Sequence, residues 1–311
     1  MNKYINFSKI KWNSHHLHID KSQTLNSETF NLSQRHMTEK WKLMRDIKHR
    51  YDDNDLKRRM LLTTTRLVDQ GCYNIRTHID VDHIVGLLPM KVALDVKSYW
   101  KNKGVNLQIG TQLLEPLKNN HNRELFYEAA EISDFIGCLP SRDRDDSEYH
   151  LDIVFSKAKE LNKDVEVHTD QQNIPDEKET EMVCDFVEKY DWQGKTRAIH
   201  CISLACHPIE YQIEIAKRLA SLNIGVICCP SAAIGMTQHS EYNAPIHNSI
   251  APVRILKENG VRVSLGVDNV EDVFVPFCDA DLLFEIRLLA ESTRIYDIDM
   301  LTEIITDDMG F

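Results

Sequence analysis

Eight short apolar runs, most of them separated by an amphipathic helical pattern, constrain the fold of this chain more than any other feature. They are the segment around His16-Leu17-His18, then Cys72–Asp80, Val105–Gly110, Phe135–Leu139, Val165–Asp170, Thr196–His200, Ile224–Cys229 and Val261–Asp268. Between the first two, Leu56, Met60, Leu61, Leu67 and Val68 keep a helical spacing from a cap at Asp53-Asn54 to a stop at Gly71. Further helices are expected around Leu125–Ile132, Leu151–Leu161 and Glu179–Tyr190, after Pro208, and near the end around Leu282–Ala290 and Asp299–Thr306. Steady alternation of strand and helix predicts a parallel sheet, and eight units predict a closed (β/α)8 TIM barrel, typically about 250 residues. The reading is an α/β chain with one barrel domain over residues 1–311. A doubly wound open sheet is the competitor. It loses support because no Gly-x-Gly-x-x-Gly and no Gly-x-x-x-x-Gly-Lys-Ser/Thr follows any strand.

In such a barrel the active site lies at the carboxyl ends of the strands. Here those ends carry His16 and His18, His78 and Asp80, His168 and Asp170, His200, and Asp268 with Asn269. Strand interiors are apolar for packing reasons, so polar residues at most of the ends require a separate cause. In an extended strand His16 and His18 share a face, and two imidazoles on one face can converge on a divalent cation. Taken singly, each residue has a structural explanation. His78 and Asp80 read first as a structural pair bonded to Arg76, Asp82 or the backbone, and only second as ligands. His200 could be a satisfied core histidine, and Asp268 a cap for the Asn269–Asp272 segment. Jointly, three histidines and one carboxylate from strands one, five and eight make a nitrogen/oxygen metal site with open positions, the kind that activates water.

Composition narrows the partners. A net charge of −11 argues against general nucleic-acid or anionic-membrane binding, either of which calls for a basic face. No apolar run is long enough to span a bilayer, and the opening residues lead into no signal-peptide core. The eight cysteines show no Cys-x-x-Cys spacing and read as reduced core residues of a cytoplasmic protein. The His-x-Glu with Pro-Cys-x-x-Cys signature of nucleic-acid-editing deaminases is absent, as is Gly-x-Ser-x-Gly. Asp176-Glu177-Lys178-Glu179 reads as solvated surface, and Tyr99-Trp100 and Trp192 as packing.

The segments His16-Leu17-His18-Ile19-Asp20-Lys21-Ser22, Arg76-Thr77-His78-Ile79-Asp80-Val81-Asp82, Val167-His168, His200, and Asp268-Asn269 with Val275-Pro276-Phe277 carry a family resemblance. The chain resembles the metal-dependent amidohydrolase superfamily, in its cytosine deaminase-like branch, which includes the N-isopropylammelide isopropylaminohydrolases. The resemblance implies one divalent metal ion, zinc or iron, held by His16, His18, His168 and Asp268. It implies that Asp268 also takes a proton from the activated water and that His200 polarises the attack. Lys21 and Asn269 fall where substrate-contacting groups are expected, and His239, after the seventh strand, is a further candidate for substrate contact. The implied activity is a hydrolase that cleaves a carbon–nitrogen bond of a small heterocycle such as a pyrimidine or triazine.

Two departures from that pattern stand out. Cytosine deaminases of this type carry a proton-shuttling glutamate three residues after the fifth-strand histidine, where this chain has Gln171, an amide that cannot act as acid or base. Asp170, on the face of His168 if the strand continues, is the candidate replacement. The small β-sandwich that commonly flanks the superfamily barrel is also not expected. Two other readings follow: hydrolysis of a cyclic amide by the same water, and a ligand-binding homologue impaired by Gln171. Assembly into a homo-oligomer is compatible with either.

Overall fold

The structure is a computed structural model, and it describes residues 11–235 and 250–311. Eight strands run in parallel: β1 (Trp12–Ser14), β2 (Cys72–Asp80), β3 (Asn106–Gln112), β4 (Ile136–Cys138), β5 (Val165–Thr169), β6 (Thr196–His200), β7 (Gly225–Cys228) and β8 (Val263–Leu265). They form a three-stranded ladder β1-β2-β3 and a five-stranded ladder β4-β5-β6-β7-β8. Isolated parallel bridges join the two, Gly110 with Phe135 between β3 and β4, and Leu17 with Asp268 between β1 and β8. The (β/α)8 barrel expected from the alternation is present.

The helices form where the apolar spacing places them, with adjusted ends. Asp52, not Asp53-Asn54, caps the Asp53–Asp69 helix, its carboxylate accepting from Asn54 N at 3.0 Å and Asp55 N at 3.1 Å. The residue before the first helical turn is the one free to take extended backbone, which N-capping requires. Gly71, at φ +86°, then turns the chain into β2.

The stretch between β1 and the Asp53 helix, which reads as polar connection, holds two further helices, Ser27–Leu32 and Met37–Lys48. The second buries Trp41 and Met44 against Leu114, Leu139 and Val273, residues that follow β3, β4 and β8. This small apolar cluster is separate from the main core and roofs the carboxyl ends of the strands. Burying a methionine side chain such as Met44 contributes about 1.5–3 kcal/mol, enough to hold a short helix in place.

The barrel interior is unusually polar. Arg76, His78 and Asp80 share one face of β2, and Glu166 and His168 share one face of β5. β2 and β5 are not neighbours, yet Arg76 Nε lies 2.8 Å from Glu166 Oε1, so these faces point inward. Arg197 from β6 reaches the same oxygen at 3.2 Å. Below, the chain's last residues close the amino-terminal end. Gly310 O accepts from Arg76, Asn13 Nδ2 donates to Asp307 O at 2.7 Å, and the Phe311 ring meets His15 edge-on at 4.9 Å.

Close packing of this interior depends on Gly137. A Cβ there would lie 2.1 Å from His78 Cδ2 and 2.2 Å from the Thr111 carbonyl oxygen, and the latter is backbone that cannot swing aside. Gly137→Ala is therefore expected to cost at least about 1–3 kcal/mol in urea denaturation, the range for overpacking a tight core.

Candidate functional site

β1 ends at Ser14, so His16 and His18 lie just past the ladder and not within a longer strand. Backbone bonds to the β8 end hold them instead. Val267 N and Asp268 N both donate to His16 O at 3.1 Å, and His18 N donates to Asp268 O at 3.2 Å. Asp268 sits at φ +63° and His200 at φ +76°, left-handed conformations that cost a residue with a Cβ about 1 kcal/mol or more and concentrate at functional sites.

The result is a tight convergence. His168 Nε2 lies 3.2 Å from His16 Nε2 and 3.4 Å from His18 Nε2. Asp268 Oδ1 lies 3.2 Å from His16 Nε2 and 3.1 Å from His18 Nε2. His200 Nε2 stands 3.9 Å from the other oxygen, Oδ2. All five residues are buried.

His168 Nδ1 donates to Cys138 O at 3.1 Å, which leaves its Nε2 as a lone pair aimed at the others. Burial lowers the His18 pKa to about 3 and that of His200 to about 4. His168 is also held well below the ordinary value by burial and by the neighbouring His16 and His18. Burial would raise the Asp268 carboxyl, but hydrogen bonds from His16 and His18 and the nearness of His200 hold it well below the usual carboxylate range. Those contacts reach Asp268 Oδ1 at poor angles, and it has no better partner among the described residues. Three imidazole nitrogens and one carboxylate oxygen facing one another are poorly satisfied by each other and fit a divalent cation such as zinc or iron.

Above the cluster lies a cleft that also receives Lys21, Gln112, Gln171 and Asn269, with Met37, Lys40 and Trp41 from the Met37–Lys48 helix. Lys21 Nζ is 2.6 Å from Asp80 Oδ1 and 3.7 Å from Asp20 Oδ1. Burial would lower its pKa, but those two aspartates raise it. Asp80 also binds Lys48 at 3.0 Å, and Lys48 pairs in turn with Asp82. Asn269 donates to Asp272 at 2.5 Å, and Gln171 Nε2 is buried with no partner among the described residues.

Several expectations are corrected. Asp170 is not on His168's face, because β5 ends at Thr169 and Asp170 turns at φ +50°. Its carboxylate accepts from Glu179 N at 2.6 Å and Thr180 N at 3.2 Å, tying down the start of the Glu179–Tyr190 helix. Glu177 and Glu179 are buried, not solvated surface; Glu177 takes Ser203 Oγ at 2.7 Å and Gln172 N at 2.9 Å. His78 and Asp80 do not bond to Arg76, Asp82 or the backbone through their side chains as expected, and His78 with His16 and Glu166 forms a second group that could hold a metal ion. His78 Nε2 lies 3.3 Å from Glu166 Oε2, while Asp80 serves the two lysines. His239 lies outside the described residues. Trp100 and Trp192 are buried packing residues, and all eight cysteines are free. Among the described residues no helix is long and apolar enough to cross a membrane.

Lys40, Met37 and Trp41 were not among the expected site residues. Their only sequence signal is the helical spacing of Met37, Trp41 and Met44 inside a stretch rich in charge.

The histidine–aspartate cluster lies at the carboxyl ends of the strands, the face on which parallel barrels carry their active sites. No family model matches the chain. An uncharacterised protein of Haemophilus influenzae is 29% identical over 245 residues, covering 78% of this chain and 88% of that one. A pterin deaminase of Rhizobium rhizogenes is 21% identical over 248 residues, 79% of this chain but 55% of the enzyme, so the chain spans about half of that relative's length. Among solved structures, the 5-methylcytosine deaminase of Klebsiella pneumoniae superposes with a TM-score of 0.88 at 22% identity, over 96% of this chain and 73% of that one. N-isopropylammelide isopropylaminohydrolase of Burkholderia multivorans gives 0.74 at 19% identity, over 95% and 72%. The chain shares the fold of these structures, and its likenesses in sequence and structure are to deaminases and amidohydrolases of heterocycles.

Because Asp170 caps a helix, Asp170→Ala is expected to lower unfolding stability by about 1–2 kcal/mol in denaturant titration. Ligand binding in the cleft should change far less.

Proposed function

We propose that the chain is a metal-dependent hydrolase that cleaves a carbon–nitrogen bond of a small nitrogen heterocycle, releasing ammonia or an amine. The observation that carries this reading is the meeting of His16, His18 and His168 with Asp268 beneath an open cleft. These four residues would hold one zinc or iron ion, which supplies Lewis acidity and lowers the pKa of water toward neutrality.

The chain's own groups do the rest. Asp268 Oδ2, turned toward His200, accepts the proton of the attacking water, and His200 Nε2 orients that water against the ring carbon. Lys21, kept charged by Asp80 and Asp20, and the Asn269 and Gln171 amides bind ring oxygens and nitrogens in the cleft. The resemblances support a pyrimidine- or triazine-like ring. Gln171 favours a second reading, hydrolysis of a cyclic amide, because that reaction does not require the residue to carry a proton to a ring nitrogen. Ring-opened product would identify it.

The test is metal analysis of the purified protein together with ammonia and amine release over aminopyrimidines, pterins and aminotriazines. Stoichiometric zinc or iron and turnover of one class are expected, with Asp268→Asn lowering kcat by about 10²–10⁴-fold, as for loss of a general base. Absence of bound metal after reconstitution, or undiminished turnover in Asp268→Asn, would sink the reading.

Metal affinity should also be less sensitive to mild acid than that of an exposed site. Ligands must be deprotonated to bind, so affinity falls as pH falls through their pKa values. Burial holds His18 at about 3 and keeps His168 low as well, so protons compete at these two ligands only in strong acid. Chelator competition between about pH 8 and 5 should show a smaller loss of affinity than an exposed histidine cluster, whose ligands all protonate near 6.5.

A further inference from the structure

Lys40 is buried in the roof of the cleft, 3% exposed, and Phe274 O at 3.2 Å is its one hydrogen-bond partner among the described residues. The other buried lysines are paired: Lys21 with Asp80 and Asp20, Lys48 with Asp80 and Asp82, Lys157 with Glu131 and Glu160. Among the described residues no carboxylate oxygen lies within ion-pair distance of Lys40. An ammonium has three N–H donors, so two remain to be satisfied. Burying such a group without a counter-charge is costly, and a helix packed by Trp41 and Met44 would be more stable with an apolar side chain at this position.

Among the described residues the cleft lining offers no uncommitted anion to meet it. Asp268 is the acid among the lining residues, and it is committed to His16 and His18. Gln112, Gln171 and Asn269 are neutral amides. Burial pulls the Lys40 pKa down, with the field of Asp272 opposing, so the residue gains from any negative charge that enters. Lys40 belongs to the roofing helix, and the histidine cluster to the strand ends below.

We propose that Lys40 selects the substrate, and that the substrate carries an anionic oxygen, a ring carboxylate or an ionised ring oxo group, on the side away from the scissile carbon–nitrogen bond. The proposal rests on the hydrolase reading above for the orientation of the ring, not for the existence of the anion site.

Binding, not turnover, tests it. Isothermal titration of the metal-loaded protein compares cytosine-5-carboxylate with cytosine, orotate with uracil, and cyanurate with uracil at constant ionic strength. The wild type is expected to favour an anionic member by about tenfold or more, a difference of about 1.4 kcal/mol. Lys40→Met should shrink that preference to within about twofold, while Lys40→Arg retains most of it. Ligand-free Lys40→Met should also melt at or above the wild-type Tm, because removing an unpaired buried cation relieves the fold. A merely structural lysine would lower it. If Lys40→Met does not fold, that outcome itself speaks for a structural lysine, and Lys40→Gln, which keeps a donor for Phe274 O, repeats the affinity comparison. Failure of the wild type to prefer any anionic ligand, or persistence of the preference in Lys40→Met, overturns the proposal. Carbon–nitrogen cleavage without an anion preference would refute Lys40 alone. An anion preference without cleavage would refute the hydrolase reading and leave Lys40 standing.

Discussion

Four ligand atoms that satisfy one another only partly set the terms for the rest of this structure. His168 Nε2 lies 3.2 Å and 3.4 Å from the Nε2 atoms of His16 and His18, with a carboxylate oxygen of Asp268 at 3.1–3.2 Å from the same two nitrogens. Crowding four such atoms together needs a rigid backbone to hold them. The bridge of Leu17 to Asp268 does this by closing the barrel at the same point where it fixes the site. Barrel closure and site geometry are one constraint, and the left-handed backbone at Asp268 and His200 is part of its cost.

The polar barrel interior extends the same constraint downward. His78 lies between the cluster and Glu166, its ring centroid 4.6 Å from His16 and 5.1 Å from His168, with Nε2 3.3 Å from the carboxylate. Glu166 is in turn fixed by Arg76 and Arg197. An apolar layer would pack as well but could not offer a polar neighbour to the imidazoles above it, and rings that converge on a cation are commonly oriented by polar groups behind them. Gly137 makes room for His78, and the terminal residues Gly310 and Phe311 cover the arginines from below. The interior thus behaves as a stack in which each layer fixes the one above.

Much of this was legible in the amino-acid sequence because it follows from period and position. Strand runs ending in His or Asp at residues 16–18, 168, 200 and 268 placed the cluster, since a parallel barrel gathers those ends at one face. What stayed hidden depended on backbone turns or on long-range partners. Asp170 has the right spacing for His168's face, but a single positive φ after Thr169 sends it to a helix start. Glu177 and Glu179 look like surface charge, and only the fold shows that backbone amides and Ser203 take them inside. Lys40 sits in a stretch whose composition says solvent, yet three apolar residues on its helix find Leu114, Leu139 and Val273 and carry it under cover.

Gln171 and Lys40 together change what the cleft asks of a ligand. With an amide where a carboxylate is expected, Asp268 is the one acid among the described residues lining the cleft, and Gln171 Nε2, unpartnered among those residues, is itself a donor. A glutamate at this position would add negative charge to the lining and repel an anionic substrate. An amide removes that repulsion and adds a hydrogen bond to an oxygen acceptor. An amide at position 171 can neither carry a proton nor repel an anion, so the two effects on the cleft come from one side chain. It is compatible with chemistry only where the substrate's own charge, or an already activated leaving group, makes protonation by residue 171 unnecessary.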